Sequence, residues 1–219
     1  MDTTYTIGYV DENEAQVQLF QRRLKPYGLN VIGYKIPRGT EFDNLMNQIY
    51  ESEIDLLMID YKLSDKGIVT FNGDKIESEF YEKKPLFPHI IFTSRVPDAE
   101  DFVEDWKIIF DKDDVTRDND SLQRFVTTLK KSIEQYKSHI QKKKDTIKTL
   151  LEKGEREGLT SIEKDLLLKN QRDLQGLDRT KNNELPEQLI SLDQLENISK
   201  VRREAEEFLK SLISKNEEK

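Results

Sequence analysis

Ile54-Asp55-Leu56-Leu57-Met58-Ile59-Asp60 decides the fold. The run is short, apolar through its second half, and closed by a carboxylate. A strand covered by helices on both faces of a parallel sheet reads this way, because it has no solvent face to alternate with. Three more runs share the form. Tyr5-Thr6-Ile7-Gly8-Tyr9-Val10 leads to Asp11 and Glu12, Ile90-Ile91-Phe92 to Thr93, and Ile108-Ile109-Phe110-Asp111 to Lys112. A further strand is expected over 29–35. The intervals hold expected helices near 13–26, 40–52, 74–83 and 98–105, with a fifth starting near Asp118. Leu19, Phe20 and Leu24 mark the apolar side of the first, and Phe42, Leu45, Met46 and Ile49 that of the second. Five strands alternating with five helices predict a doubly wound, five-stranded parallel sheet. In such sheets the functional crevice lies beyond the carboxyl ends of the strands.

All the polar residues just named fall at those ends. Asp11, Glu12 and Asp60 would repel one another without a cation. An all-oxygen set with room for water suits Mg²⁺. Mg²⁺ would also let a dianionic phosphoryl group approach Asp60, with Lys112 balancing charge and Thr93 offering a neutral hydrogen bond. An acid pair after a strand is weak on its own, since acidic residues often cap the next helix, and a lone Asp is no stronger. Their placement at successive strand ends makes the pocket specific.

These motifs resemble the receiver domains of response regulators. The residues that carry the resemblance are Val10-Asp11-Glu12, Ile59-Asp60-Tyr61-Lys62-Leu63, Phe92-Thr93-Ser94 and Phe110-Asp111-Lys112, within residues 4–137. The resemblance implies a flavodoxin-like strand order. It implies that Asp60 is the phosphoacceptor, and that Asp11, Glu12, Asp60 and the main-chain carbonyl of Lys62 hold Mg²⁺. Thr93 and Lys112 would contact the phosphoryl group. The partner upstream would be a histidine kinase or a phosphotransfer protein. The chain departs from the family at three places. Asp113 stands where Pro commonly follows the lysine, and Ile109 where an aromatic commonly lies three residues before it. The loop after Asp60 reaches its helix only at Gly73, which makes Ser64–Asn72 a candidate lid or partner contact.

Beyond the expected sheet, Leu122, Val126, Leu129, Ile133, Tyr136, Ile140, Ile147 and Leu150 step by four and three, with Lys143 the single polar interruption. No Gly or Pro occurs between 118 and 153. The spacing predicts one helix over 119–153, about 50 Å long at 1.5 Å per residue. Its first half would pack on the sheet. Its second half carries an a/d seam that either folds back on its own neighbours or forms a dimeric coiled coil. Gly154 to Gly158 mark a break, and Thr160-Ser161-Ile162-Glu163 is a capping-box pattern opening a helix to about Leu177. A last helix is expected from Ser191. The expected domains are a receiver over 1–137 and a helical extension over 138–219.

Composition narrows the function classes. Of 219 residues, 35% are apolar and 36% charged. Residues 1–137 hold 18 basic and 26 acidic residues, and residues 138–219 hold 17 of each. Neither part has the basic excess of a general nucleic-acid binder. No helix-turn-helix with a basic recognition helix is visible after residue 137. There is no cysteine, hence no disulfide, thiolate or cysteine-ligated zinc. No apolar run approaches the roughly 20 residues of a membrane span, and the chain reads as cytoplasmic. His89, His139 and Trp106 read as structural or solvated residues.

The leading expectation is a two-component switch that accepts phosphate on Asp60 and signals to a downstream protein through its helical region, with a homodimer as one arrangement. A DNA-binding regulator with an unrecognised carboxyl-terminal module is the first alternative. An acyl-phosphate phosphatase using Asp60 is the second. It is opposed by Tyr61-Lys62, which stand where a general acid is wanted, so no enzyme activity is expected. A scaffold that has lost phosphorylation is opposed by the intact acid set.

Overall fold

The computed structural model describes residues 4–65 and 67–177. The helix expected from Ser191 lies outside the described residues. Five strands form one parallel sheet: β1 (Tyr5–Val10), β2 (Leu29–Gly33), β3 (Leu56–Ile59), β4 (His89–Thr93) and β5 (Ile109–Asp111). Their order is β2-β1-β3-β4-β5, the flavodoxin-like doubly wound arrangement. The helices are α1 (Glu14–Leu24), α2 (Phe42–Glu51), α3 (Gly73–Lys83), α4 (Val96–Glu100), α5 (Lys112–Arg117), α6 (Asn119–Glu157) and α7 (Ser161–Leu177). β3 sits centrally with all four residues fully buried, which is why its sequence shows no alternation.

The two faces of the sheet bury separate cores. On one face, Val17, Phe20 and Leu24 of α1 and Leu122, Phe125, Val126, Leu129 and Ile133 of α6 pack on Ile7, Tyr9, Met58 and Phe92. On the other, Leu45, Met46 and Ile49 of α2 and Ile76 and Phe80 of α3 pack on Val10, Leu57, Ile59 and Ile91. Adjacent side chains of one strand therefore go to opposite layers, as the pleat requires.

The fourth helix is short, 5 residues, and lies slightly ahead of its expected span, as α4. The helix expected to start near Asp118 begins at Asn119. A short helix that the sequence did not predict, α5, precedes it: the chain turns helical at Lys112, runs to Arg117 and extends at Asp118. Asp118 then caps the new helix, its carboxylate accepting from Ser121 N at 2.6 Å. A cap that satisfies the exposed amides of α6 explains why the chain restarts there.

The long helix passes through Gly154 and ends at Glu157, where Gly158 takes φ +81°. That left-handed turn suits Gly, so the stop lies at the second glycine of the pair rather than the first. The capping box forms as the sequence indicates: Thr160 Oγ1 accepts from Glu163 N at 3.3 Å, and Glu163 accepts from Thr160 N at 3.0 Å.

The described residues divide into two compact units, the first covering residues up to Ile140 together with Leu177, the second Gln141–Gly176. In the second, Ile147 and Leu150 of α6 and Leu167 of α7 form a buried cluster. Lys143, the polar interruption of the seam, pairs with Asp173 at 2.5 Å. Of the two arrangements open to the seam beyond residue 140, Ile147 and Leu150 take the one within the chain, against Leu167.

The stretch after Asp60 is not a free lid. Its ends are tied, Ser64 N donating to Asn72 Oδ1 at 3.2 Å. Leu63, Val69 and Phe71 are buried, and the Phe71 ring meets Phe42 at 5.2 Å between centroids. The apolar residues inside the loop anchor it on the amino end of α2. Trp106 does not pack: it is 66% exposed, as Phe102 is at 65%.

Candidate functional site

Strand register brings the acids together. Val10 lies opposite Ile59, so Asp11 and Asp60 leave neighbouring strands at the same level. The amide of Asp60 still donates to Val10 O at 2.8 Å, which carries the pairing one residue past the strand. On the other side Thr93 lies opposite Asp111, which sets Lys112 just beyond it. Asp11, Glu12 and Asp60 each place a carboxylate oxygen within 4.8 Å of the others. Lys112 Nζ lies 2.7 Å from Asp11 Oδ2 and 3.0 Å from Asp60 Oδ1. The Thr93 hydroxyl bonds to Asp60 and accepts from Arg95 N at 3.1 Å, which fixes its direction.

The remaining member of the expected set, Lys62, sits two residues after Asp60. Its side chain reaches away to Asp65 at 3.8 Å. The loop beside it is held by Gly73, whose amide donates to Tyr61 O at 2.7 Å. A side chain at Gly73 would come within 2.3 Å of the Asp60 carbonyl oxygen. Only glycine lets the start of α3 lie directly on the backbone of the phosphoacceptor candidate.

Asp11, Asp60, Thr93 and Lys112 are buried, and Glu12 is half-buried. Burial raises the Asp60 carboxyl above the ordinary carboxylate range. Lys112 opposes that shift, Asp11 adds to it, and hydrogen bonds from Lys112 and Thr93 oppose it. Lys112 is itself flanked by the Tyr9 and Phe92 rings, with centroids at 5.6 and 5.9 Å. A buried ammonium between two π faces and two carboxylates is well compensated.

The departure at Asp113 has a local cause. Asp111 caps α5 by accepting from Asp113 N at 2.8 Å. Proline at that position would remove the donor. Ile109 is half-buried at the start of β5. Sequence reasoning missed one residue of the site. In the sequence Tyr9 reads only as part of an apolar run, yet its hydroxyl donates to Asp11 Oδ2 at 2.6 Å. The available signal was a phenol in a strand buried on both faces, since such a hydroxyl needs a partner. Burial, and then the neighbouring Asp11, push the Tyr9 phenol far above its ordinary range, so it remains a donor.

Of the residues discounted for function, His89 is held between Phe87 O at 2.8 Å and Glu77 at 3.1 Å. His139 lies exposed on α6.

No family model matches the sequence, and no curated protein matches it. Solved structures do resemble it. The response regulator TrrA of Thermotoga maritima, in complex with Mg²⁺-BeF, aligns with TM-score 0.43 and 16% identity over 57% of this chain and 99% of that one. A CheY-like response regulator receiver domain protein from Methanospirillum hungatei gives TM-score 0.43 and 16% identity over 61% and 99%. A Francisella response regulator receiver domain gives TM-score 0.43 and 9% identity over 60% and 98%. These neighbours are receiver domains.

Proposed function

We propose that this chain is a phosphorylation-controlled switch of the two-component type, with Asp60 as the phosphoacceptor. The observation that carries the reading is the bridge made by Lys112 between Asp11 and Asp60, with Glu12 completing a three-carboxylate cluster. Three acids facing one lysine are suited to a small dication with oxygen ligands, and Asp11, Glu12 and Asp60 would hold Mg²⁺, joined by the Lys62 carbonyl. When bound, the ion would neutralise charge on the acids and on an incoming phosphoryl group.

The chain's own residues supply the rest. An Asp60 oxygen forms the new P–O bond as the P–N bond of a phosphohistidine breaks, and the released imidazole takes a proton. Lys112 and Thr93 reach the oxygens of the transferred group. The donor is a histidine kinase, a phosphotransfer protein or a small acyl phosphate. A phosphoryl group adds charge where Lys112 is now shared, and this biases the contacts of Lys112 and Thr93. The output is protein–protein contact through the helical region. Dimerisation through α6 is the less favoured arrangement, because Ile147 and Leu150 already pack with Leu167 of the same chain.

The test is intact-mass analysis of the full chain incubated with Mg²⁺ and acetyl phosphate. One phosphoryl addition is expected, absent in Asp60→Asn. Labelling that persists in that variant would overturn the assignment. Multiple turnover of the donor would favour the phosphatase alternative.

A further inference from the structure

The hydrogen bonds around Asp11 divide its two oxygens unequally. Oδ2 accepts from the Tyr9 hydroxyl at 2.6 Å and from Lys112 Nζ at 2.7 Å. Oδ1 accepts from Asn13 N at 2.7 Å. An ionised carboxylate has about four acceptor positions, two on each oxygen. Oδ2 is therefore saturated, and the one position left lies on Oδ1.

Tyr9 cannot easily relax away from this bond. It is fully buried, with its ring set edge-on to Phe20 at 6.0 Å and tilted against Phe92 at 6.0 Å. Phe20 and Phe92 meet each other at 4.7 Å. The aromatic cluster fixes the ring, the ring fixes the hydroxyl, and the hydroxyl fixes the carboxylate.

We infer that Tyr9 is a metal-specificity residue: by filling Oδ2 together with Lys112, its hydroxyl confines Asp11 to single-oxygen ligation and so favours Mg²⁺ over Ca²⁺. The inference rests on the reading of Asp11, Glu12 and Asp60 as a cation site. Mg²⁺ is small, demands near-octahedral geometry and keeps its waters, which single-oxygen carboxylates suit. Ca²⁺ accepts more oxygens and takes carboxylates through both. Tyr9 also has a second use. When Lys112 turns to a phosphoryl group, the hydroxyl remains on Oδ2, and Asp11 keeps a donor on that oxygen.

Calorimetric titration of the full chain with Mg²⁺ and, separately, Ca²⁺ tests this. In Tyr9→Phe the ring stays and the hydroxyl goes. The preference for Mg²⁺ over Ca²⁺ should fall about tenfold, if Mg²⁺ alone bears the affinity lost on removing a group that orients a metal ligand, about tenfold at its lower end. Circular dichroism checks the fold. Should Tyr9→Phe not fold, Tyr9→Met, which also lacks the hydroxyl and adapts to irregular space, takes its place with the same expected loss. Equal weakening of both ions, or a ratio changed less than about twofold in a folded variant, overturns the role of Tyr9. Wild-type protein that takes up neither ion overturns the cation-site reading, and this inference with it.

Discussion

Asp60 is placed where its charge is costly, and this has a measurable sign. Its carboxyl is raised above the ordinary range, burial being the main cause. A raised acid binds its proton more tightly folded than unfolded. Its stabilising contribution is full below the ordinary carboxylate pKa and is lost as pH rises through the raised value. Metal-free protein should therefore melt at a higher temperature in Asp60→Asn than in wild type at neutral pH, with the gap closing on acidification. A gap that stays constant with pH would mean the carboxylate is not strained. Gly73 gives a second prediction at this scale. The methyl of Gly73→Ala would meet the Asp60 carbonyl at 2.3 Å. Overpacking of that kind costs about 1–3 kcal/mol, read as a shift in the denaturation midpoint. It should also slow phosphoryl uptake, because the displaced backbone carries Asp60. Asp11, Glu12, Asp60, Thr93 and Lys112 could be picked out beforehand because each ends an apolar run. Tyr9 could not, because its polar atom hides inside such a run and only three-dimensional packing shows what it touches.

Among the elements, α6 and α7 show what sequence periodicity can and cannot say. The four-and-three spacing identified the long helix and its buried side. It could not say whether the far seam meets its own chain or another, since both bury the same residues. The structure gives Ile147 a partner in Leu167. Ile147→Ala should cost about 2–5 kcal/mol locally. Hydrogen exchange would show it as lost protection in α7 and the end of α6, while β1 and β3 stay protected. The capping box is a milder case. Glu163 is pulled down to about 2, chiefly by its bond to Lys153 and then by Thr160. A depressed acid contributes stability above its ordinary pKa and loses it as pH falls from there through the depressed value. Fraying of α7 on acidification is the expected outcome, followed by helicity. The loop after Asp60 shows its length in the sequence but not its anchoring. Val69 and Phe71 were the available hint, being large apolar residues in a segment otherwise rich in turn formers.

For the whole molecule, the parallel sheet and the pocket were legible for one reason: parallel strands announce themselves by continuous apolar runs, and their ends converge by construction; the strand order rested on the family resemblance alone. The division after Ile140 was approached from charge, which changes balance near the same point without locating it. With Ile147 and Leu150 covered in cis, sedimentation of the unphosphorylated protein should give the mass of one chain. A dimer that Ile140→Asp dissociates would restore the coiled-coil arrangement. One surface feature has a practical side. The chain has a single tryptophan, and Trp106 is 66% exposed. An indole this exposed is expected to emit as one in water does, so a fluorescence-monitored melt should register little while the core comes apart. The same residue is an intrinsic beacon on the outside of the molecule: a blue shift or loss of quencher access would report a partner settling over β5 without any label being attached.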